Sequence, residues 1–231
     1  MVEHKTGSKY LVINGRALYT TSRKIPSLKI LKDPVSKSLI ANVRKTVNKY
    51  ILENNFNIEP VKLVYPACSI DRGKYKSLDE GAEFFYVDIK HAYWRIAYKM
   101  GVICKPIYER YKDSQKFKLV RNIALSTLAR SITRDYYRNG KLLNSITCVS
   151  DHYKQIYKNI RYTTYNLTGT LNEIAGKNSI GYKIDGLLVL PAAVNKIKQQ
   201  IKNKRFFYSV TKCKKIDDKR FLFGTEEKIF R

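Results

Sequence analysis

Acidic residues are scarce in this chain. Its 231 residues carry 19 aspartates and glutamates against 45 lysines and arginines, a formal net charge of +26. The positive charge is spread along the whole length. An imbalance this large implies a polyanionic partner whose affinity falls steeply with salt. Nucleic acid is the first candidate. An anionic membrane surface is the second, but no amphipathic basic helix dominates. Cysteine is also scarce: Cys68, Cys104, Cys148 and Cys213 stand far apart, with no C-x-x-C pair. That pattern excludes a disulfide framework and gives no zinc signature. Reduced thiols are the expectation, in a cytoplasmic compartment. Long apolar runs are missing too. The longest, Gly186 to Val194, is far too short to cross a bilayer, so no membrane association is expected. The first residues, Met1 to Lys5, lack the apolar region of a signal peptide. No internal repeat and no low-complexity tract is visible.

What is present is a mixed pattern of strands and helices. With 44% hydrophobic residues the chain can bury a sizeable core. Residues 9–22 read as a hairpin turning on Asn14-Gly15, which supplies the positive backbone angles of a two-residue turn. A helix is expected from Asp33-Pro34 to about Asn54, with Asp33 as cap, Pro34 in the first turn and Val35, Leu39, Val43, Val47 and Ile51 at helical spacing. A short strand near Val61–Tyr65 and a polar loop over Arg72–Gly81 follow. Phe84 to Asp88 reads as a buried strand, and His91 to Met100 as a helix closed by Gly101. Further helices are expected over Phe117–Tyr137, ending before Asn139-Gly140, and over Ser150–Ala175. Asn178 to Leu190 reads as a hairpin turning on Asp185-Gly186. A helix over Pro191–Lys204 and strands at Phe206–Cys213 and Phe221–Phe223 complete the chain. Hairpins mixed with helices favour an α+β fold. The pattern divides into an extension over 1–80, a core over 81–190 and a small helix–strand element over 191–231.

Two aspartates carry the chemical signal. Asp88 ends the apolar strand Phe84-Phe85-Tyr86-Val87, and Asp185 follows Ile180-Gly181-Tyr182-Lys183-Ile184. Each alone has a plain structural explanation, a helix cap for Asp88 and a turn for Asp185. Together, two carboxylates at strand ends can meet the needs of a divalent metal pair. Between them, Lys118 and Asn122 stand one helical turn apart and share a face. Tyr153, Tyr157, Tyr162 and Tyr165 alternate with Lys154, Lys158 and Arg161. Aromatic faces stack on bases and cations track phosphates, although a helix that buries tyrosines and solvates lysines has the same pattern. Arg121 falls on a different face and reads as a solvated charge.

In order, the three segments resemble motifs A, B and C of the family B DNA polymerase palm. The family's D-x-x-S-L-Y-P-S is matched by Asp88-Ile89-Lys90-His91-Ala92-Tyr93-Trp94-Arg95. Its K-x-x-x-N-S-x-Y-G is matched by Lys118-Leu119-Val120-Arg121-Asn122-Ile123-Ala124-Leu125-Ser126. Its Y-G-D-T-D-S is matched by Gly181-Tyr182-Lys183-Ile184-Asp185-Gly186. The chain departs from the pattern at His91, Leu125, Ser126 and Lys183, the last standing where the third motif has its first aspartate. The resemblance covers about 84–190. It implies a palm-like antiparallel sheet with packed helices, and catalytic Asp88 and Asp185 holding two Mg2+ (or Mn2+) ions. It implies Tyr93 beneath the sugar of an incoming deoxynucleoside triphosphate, Lys118 on the triphosphate and Asn122 supporting that site. The expected activity is template-directed nucleotidyl transfer to a DNA 3′ end on a primer–template. The short interval between Asp88 and Lys118 leaves reduced fingers, and the residues before Asp88 leave no room for a proofreading exonuclease. The residues after Leu190 leave a small thumb substitute in which Lys212, Lys214 and Lys215 would contact nucleic acid. Such a reduced enzyme fits a virus or mobile element, acting in the host cytoplasm and needing a processivity partner.

Two rivals stand beside this reading. Asp88-Ile89-Lys90 with Asp79 or Glu83 resembles a PD-(D/E)-x-K nuclease core, where two acids bind metal and a lysine orients water. A basic module without catalysis would bind nucleic acid structurally and need none of these side chains.

Overall fold

Chain contacts divide the protein into two units, Met1–Ile58 with Glu109–Tyr157, and Glu59–Tyr108 with Lys158–Arg231. The computed structural model describes residues 2–3, 8–13, 16–21, 34–112, 117–129, 132–138, 141–148 and 150–230. In chain order the elements begin with β1 (Val2–Glu3), β2 (Ser8–Ile13), β3 (Arg16–Thr21), α1 (Pro34–Glu53), β4 (Cys68–Ile70) and α2 (Arg72–Lys76). Next come β5 (Glu83–Ile89), α3 (Ala92–Lys99), α4 (Lys105–Tyr111), α5 (Lys118–Ser126), β6 (Ile132–Arg138) and β7 (Lys141–Cys148). Last are α6 (Asp151–Ala175), β8 (Ser179–Lys183), β9 (Gly186–Val189), α7 (Pro191–Asn203), β10 (Tyr208–Lys215), β11 (Arg220–Phe223) and β12 (Glu226–Ile229). The fold is α+β, as the mixed pattern implies.

In the first unit β1, β2 and β3 form an antiparallel sheet, and Ile13 pairs with Arg16. The expected hairpin is therefore present, while Asn14, Gly15 and the expected cap Asp33 lie outside the described residues. Helix α1 buries Leu39, Val43, Val47 and Ile51, one residue per turn, and packs against α5. Helix α5 is much shorter than the expected 117–137. It ends at Ser126, continues as a 3-10 turn over Thr127–Ala129, and gives way to the antiparallel hairpin β6–β7. The segment that follows is rich in β-branched and tyrosine residues, and Arg138 pairs with Lys141 across Asn139-Gly140. The expected helix stop, Asn139-Gly140, lies outside the described residues.

The second unit is a seven-stranded sheet in the order β12-β11-β10-β5-β9-β8-β4, with every neighbouring pair antiparallel. Its central four strands, β10-β5-β9-β8, follow the β-α-β-β-α-β chain order of a split βαβ unit. Side chains alternate across a strand, so β5 sends Phe84 and Tyr86 to one face and Val87 and Ile89 to the other. The first face carries a core of Tyr75, Phe84, Ile180, Leu188, Cys213 and Phe221. Helix α7, burying Ala193, Val194, Ile197 and Ile201, packs against β5 on the second. Each large apolar side chain buried this way contributes about 1.5–3 kcal/mol.

Two expectations in this unit change. No strand forms at Val61–Tyr65; that segment is fastened to α6, as described below, and the short strand comes later, at Cys68–Ile70. The expected loop over Arg72–Gly81 contains α2, capped by the Asp71 side chain accepting from the Lys74 N–H at 2.8 Å. Its purpose is Tyr75, which is fully buried, stacks on Phe230 at 3.7 Å and donates to the Arg220 carbonyl at 2.7 Å.

Candidate metal and nucleotide site

Strand β5 is apolar until its end, where Asp88 lies opposite Gly186 on β9 and Ser209 on β10. Asp185 is half-buried in the turn that joins β8 to β9, and its carbonyl accepts from the Ile89 N–H at 2.9 Å. The two aspartates thus stand on neighbouring antiparallel elements at one end of one sheet.

The turn is not the one the residues suggest. Lys183 pairs with Gly186, which leaves Ile184 and Asp185 as the two turn residues. Ile184 has φ of 59°, a left-handed angle that is rare for a β-branched side chain. Its N–H is held by the Ala67 carbonyl at 2.6 Å. Gly186 is required for a different reason. A Cβ on it would stand 2.0 Å from the Tyr86 hydroxyl oxygen, because the Tyr86 ring crosses directly over it.

Tyr86 stands beside Asp88 and feels the charge of Asp185. Its hydroxyl donates to Asp88 Oδ1 at 3.5 Å, a long contact. Burial first, and then the charges of Asp88 and Asp185, push that hydroxyl well above the usual phenol range. It therefore stays protonated and can only serve the aspartates as a donor. Beside Asp185 a cavity of about 430 Å³ opens, lined by Tyr86, Lys183, Phe221, Phe223 and Lys228 among others.

Oxygen donors suit a hard cation. Magnesium is commonly held by one or two carboxylates, with water and substrate phosphate completing the shell. Asp88 and Asp185 are carboxylates of that kind. Among the described residues no group of three or more His, Cys, Asp or Glu side chains could enclose an ion.

Tyr93 lies in the first turn of α3, half-buried, after His91 at φ 55°. Lys118 and Asn122 are both exposed on α5. They belong to the first unit, and the aspartates to the second. Arg121 is not a solvated charge. It is 1% exposed, and its guanidinium donates to the Tyr111 carbonyl.

The basic candidates divide. Lys154, Lys158 and Arg161 are exposed on α6, with Lys158 over the Tyr162 ring at 5.3 Å and Arg161 donating to the Tyr165 hydroxyl at 3.0 Å. Tyr153 and Tyr157 are half-buried, and the Tyr153 hydroxyl bonds Asn48. Tyr165 is 5% exposed and offers no stacking face. Lys212 and Lys214 are exposed, Lys212 paired with Glu83 at 2.5 Å. Lys215 is buried. Its ammonium donates to the carbonyls of Lys76 at 2.8 Å and Leu78 at 2.6 Å and pairs with Asp218. Those bonds occupy its donors, so it fastens α2 to the sheet instead of meeting phosphate.

Sequence reasoning missed Tyr86, whose only signal was its place two residues before Asp88. It also missed Arg95, Lys99 and Phe207, which come together only through the packing of α3 on the α7–β10 corner. In comparisons with protein-family models, curated proteins and solved structures, nothing matches this chain.

Proposed function

We propose that the protein is a reduced, palm-like nucleotidyltransferase that extends a DNA 3′ end on a template. The observation that carries this reading is that Asp88, at the end of β5, lies opposite Gly186, the neighbour of Asp185 in the β8–β9 turn. A strand ending in the first carboxylate and a later hairpin carrying the second on its turn, both in one antiparallel sheet, is the arrangement the motifs imply for a palm. The net charge of +26 supports a polyanionic substrate.

In this reading Asp88 and Asp185 hold two magnesium ions. Bound ions would supply Lewis-acid chemistry at the primer hydroxyl and the phosphate. Tyr86 keeps its proton and orients Asp88 from behind, as the outer partner of a ligand does. Lys183, exposed beside Asp185, supplies a positive charge to phosphate at the place where the family carries an acid. Tyr93 meets the sugar of the incoming nucleotide, and Lys118 and Asn122 serve its triphosphate, as the resemblance implies.

Geometry weighs against the nuclease rival. Glu83 and Asp88 lie near opposite ends of β5, on opposite faces, and Glu83 is paired with Lys212. At about 3.3 Å per residue the two acids are separated by roughly 17 Å. Asp79 precedes the strand at the end away from Asp88. The binding-module rival draws on Lys183, whose charge stands where a carboxylate is expected.

Extension of a labelled primer with magnesium or manganese tests the proposal. Asp88→Asn and Asp185→Asn should each lower extension by at least about 100-fold, the most that loss of an outer partner alone costs. Salt-sensitive DNA binding should persist in both. A parent protein that binds DNA and leaves the primer unchanged would sink the catalytic reading.

A further inference from the structure

A second cluster lies at the corner where α7 ends and β10 begins. Arg95 and Lys99 stand one turn apart on α3. The Arg95 guanidinium lies 4.9 Å from the Phe207 ring centre, and its Nη1 donates to the Tyr108 hydroxyl at 2.6 Å. The Lys99 ammonium lies 4.7 Å from the Phe206 ring centre and donates to the Lys204 carbonyl at 2.7 Å. Arg205 follows at φ 57°, an angle that glycine usually fills after a helix. Burial, and then Arg95, Arg205 and Lys204, hold the Lys99 ammonium below its usual range. Among the described residues none of these four cations is in an ion pair.

The C-terminal dipole of α7 accounts for one cation at this corner. It does not account for four that repel one another, nor for the ring beside them. Phe207 is 52% exposed, although Phe206 next to it is buried. Its carbonyl accepts from the Lys90 N–H at 2.9 Å, which fixes the ring just beyond the end of β5 that carries Asp88. A cavity of about 460 Å³ adjoins the cluster, bordered by Lys99, Lys204, Phe206 and, on α6, Thr163 and Asn166. The corner therefore joins an exposed ring, Phe207, to a cavity edged by Lys99 and Lys204.

We propose that this corner binds a single strand of nucleic acid, with one base stacked on Phe207 and the flanking phosphates held by Lys99, Lys204 and Arg205. An exposed ring with cations near it is a sequence-tolerant platform, because every base has a stacking face. Arg95 braces the ring from behind. The site needs no catalysis, and its place beside β5 would lead an unpaired strand toward Asp88.

The test is fluorescence anisotropy of a labelled oligothymidylate against a duplex of equal length, over a range of salt. Phe207→Ala should weaken single-strand binding about 10-fold and leave duplex binding unchanged. Phe207→Trp should keep it. The double variant Lys99→Ala with Arg205→Ala should lower the slope of log affinity against log salt by about 1.4, at about 0.7 per phosphate. Lys196→Ala, exposed on α7, should not. Thermal melting of each variant checks that it folds. Equal affinity of Phe207→Ala and parent for the single strand overturns the proposal. So does an equal loss on single strand and duplex, which marks plain charge attraction. Stabilisation by inorganic phosphate that depends on Lys99 and Arg205, without any effect of Phe207→Ala on the oligonucleotide, reduces the corner to an anion site and overturns it as well. Asp88→Asn should bind as the parent does, so failed extension and failed strand binding are read separately.

Discussion

Ile184 holds a backbone angle that its branched side chain disfavours, one position before a candidate metal ligand. Left-handed angles cost non-glycine residues about 1–2 kcal/mol, and such strain gathers at sites where geometry matters. Ile184→Gly should therefore raise stability in denaturant melts, by up to about 1 kcal/mol after glycine's own entropy cost. If the strain serves to aim Asp185, primer extension should fall while stability rises. Unchanged extension would show that the turn merely tolerates isoleucine. The sequence showed an Asp-Gly pair in a hairpin, and both residues are there. It could not show that the turn sits one residue earlier, or that Gly186 exists for the ring of Tyr86. Those depend on which residue of β5 lies opposite.

At the scale of elements, the segment 59–65 illustrates how a non-strand can be ordered. Asn159 and Asn166 lie two turns apart on α6. The Asn159 side chain accepts from the Val61 N–H at 2.9 Å and donates to the Glu59 carbonyl at 2.7 Å. Asn166 does the same for Val64 at 2.9 Å and Lys62 at 2.8 Å. Each amide pairs with a backbone as another peptide group would. Gly169, one turn on, makes room for Tyr65, since a Cβ there would come within 2.1 Å of its ring. Asn159→Ala should cost about 1–3 kcal/mol in a thermal or denaturant melt, because Asn159 is buried and the backbone groups it serves would be left unmet. A loss no greater than that of an exposed alanine substitution would mean the strap is held by packing alone. The apolar run at Val61–Tyr65 reads as a strand by composition, yet Leu63 and Val64 are exposed and the side-chain partners that hold it are about a hundred positions away. The longer error, a helix drawn through Ile132–Tyr137, has a local cause. Its Asn-Gly pair is equally a helix stop and a hairpin turn, and only pairing with β7 separates them.

For the whole molecule, charge and one aromatic core set the conditions of use. The sheet core contains Cys213, raised from 9.0 to about 11 by burial, and Tyr75, raised to about 12 by burial and by Asp217 and Asp218. Both acids bind their protons more tightly folded than unfolded. Their contribution to stability is complete below about pH 9 and is lost as pH rises through about 11 and 12. The midpoint of thermal unfolding should accordingly drop across that window, with tyrosinate absorbance rising at the same transition. A midpoint that is flat to pH 12 would contradict the burial of these groups. Cys213→Val should move the onset of the drop upward.

The residues alone determined much of this protein. Helical stripes, alternating strands, the scarcity of acid and the two carboxylates at strand ends are local properties. They follow from backbone geometry and from which side chains avoid water. Tertiary structure decided the rest: that Asp88 comes to lie opposite the neighbour of Asp185, that Arg121 and Lys215 spend their charges on carbonyls inside the protein, and that Phe207 stands exposed near cations. Each of these depends on a partner far away in the chain. A local pattern cannot name that partner, because strand register and helix packing are selected by the sum of many weak contacts across the whole unit.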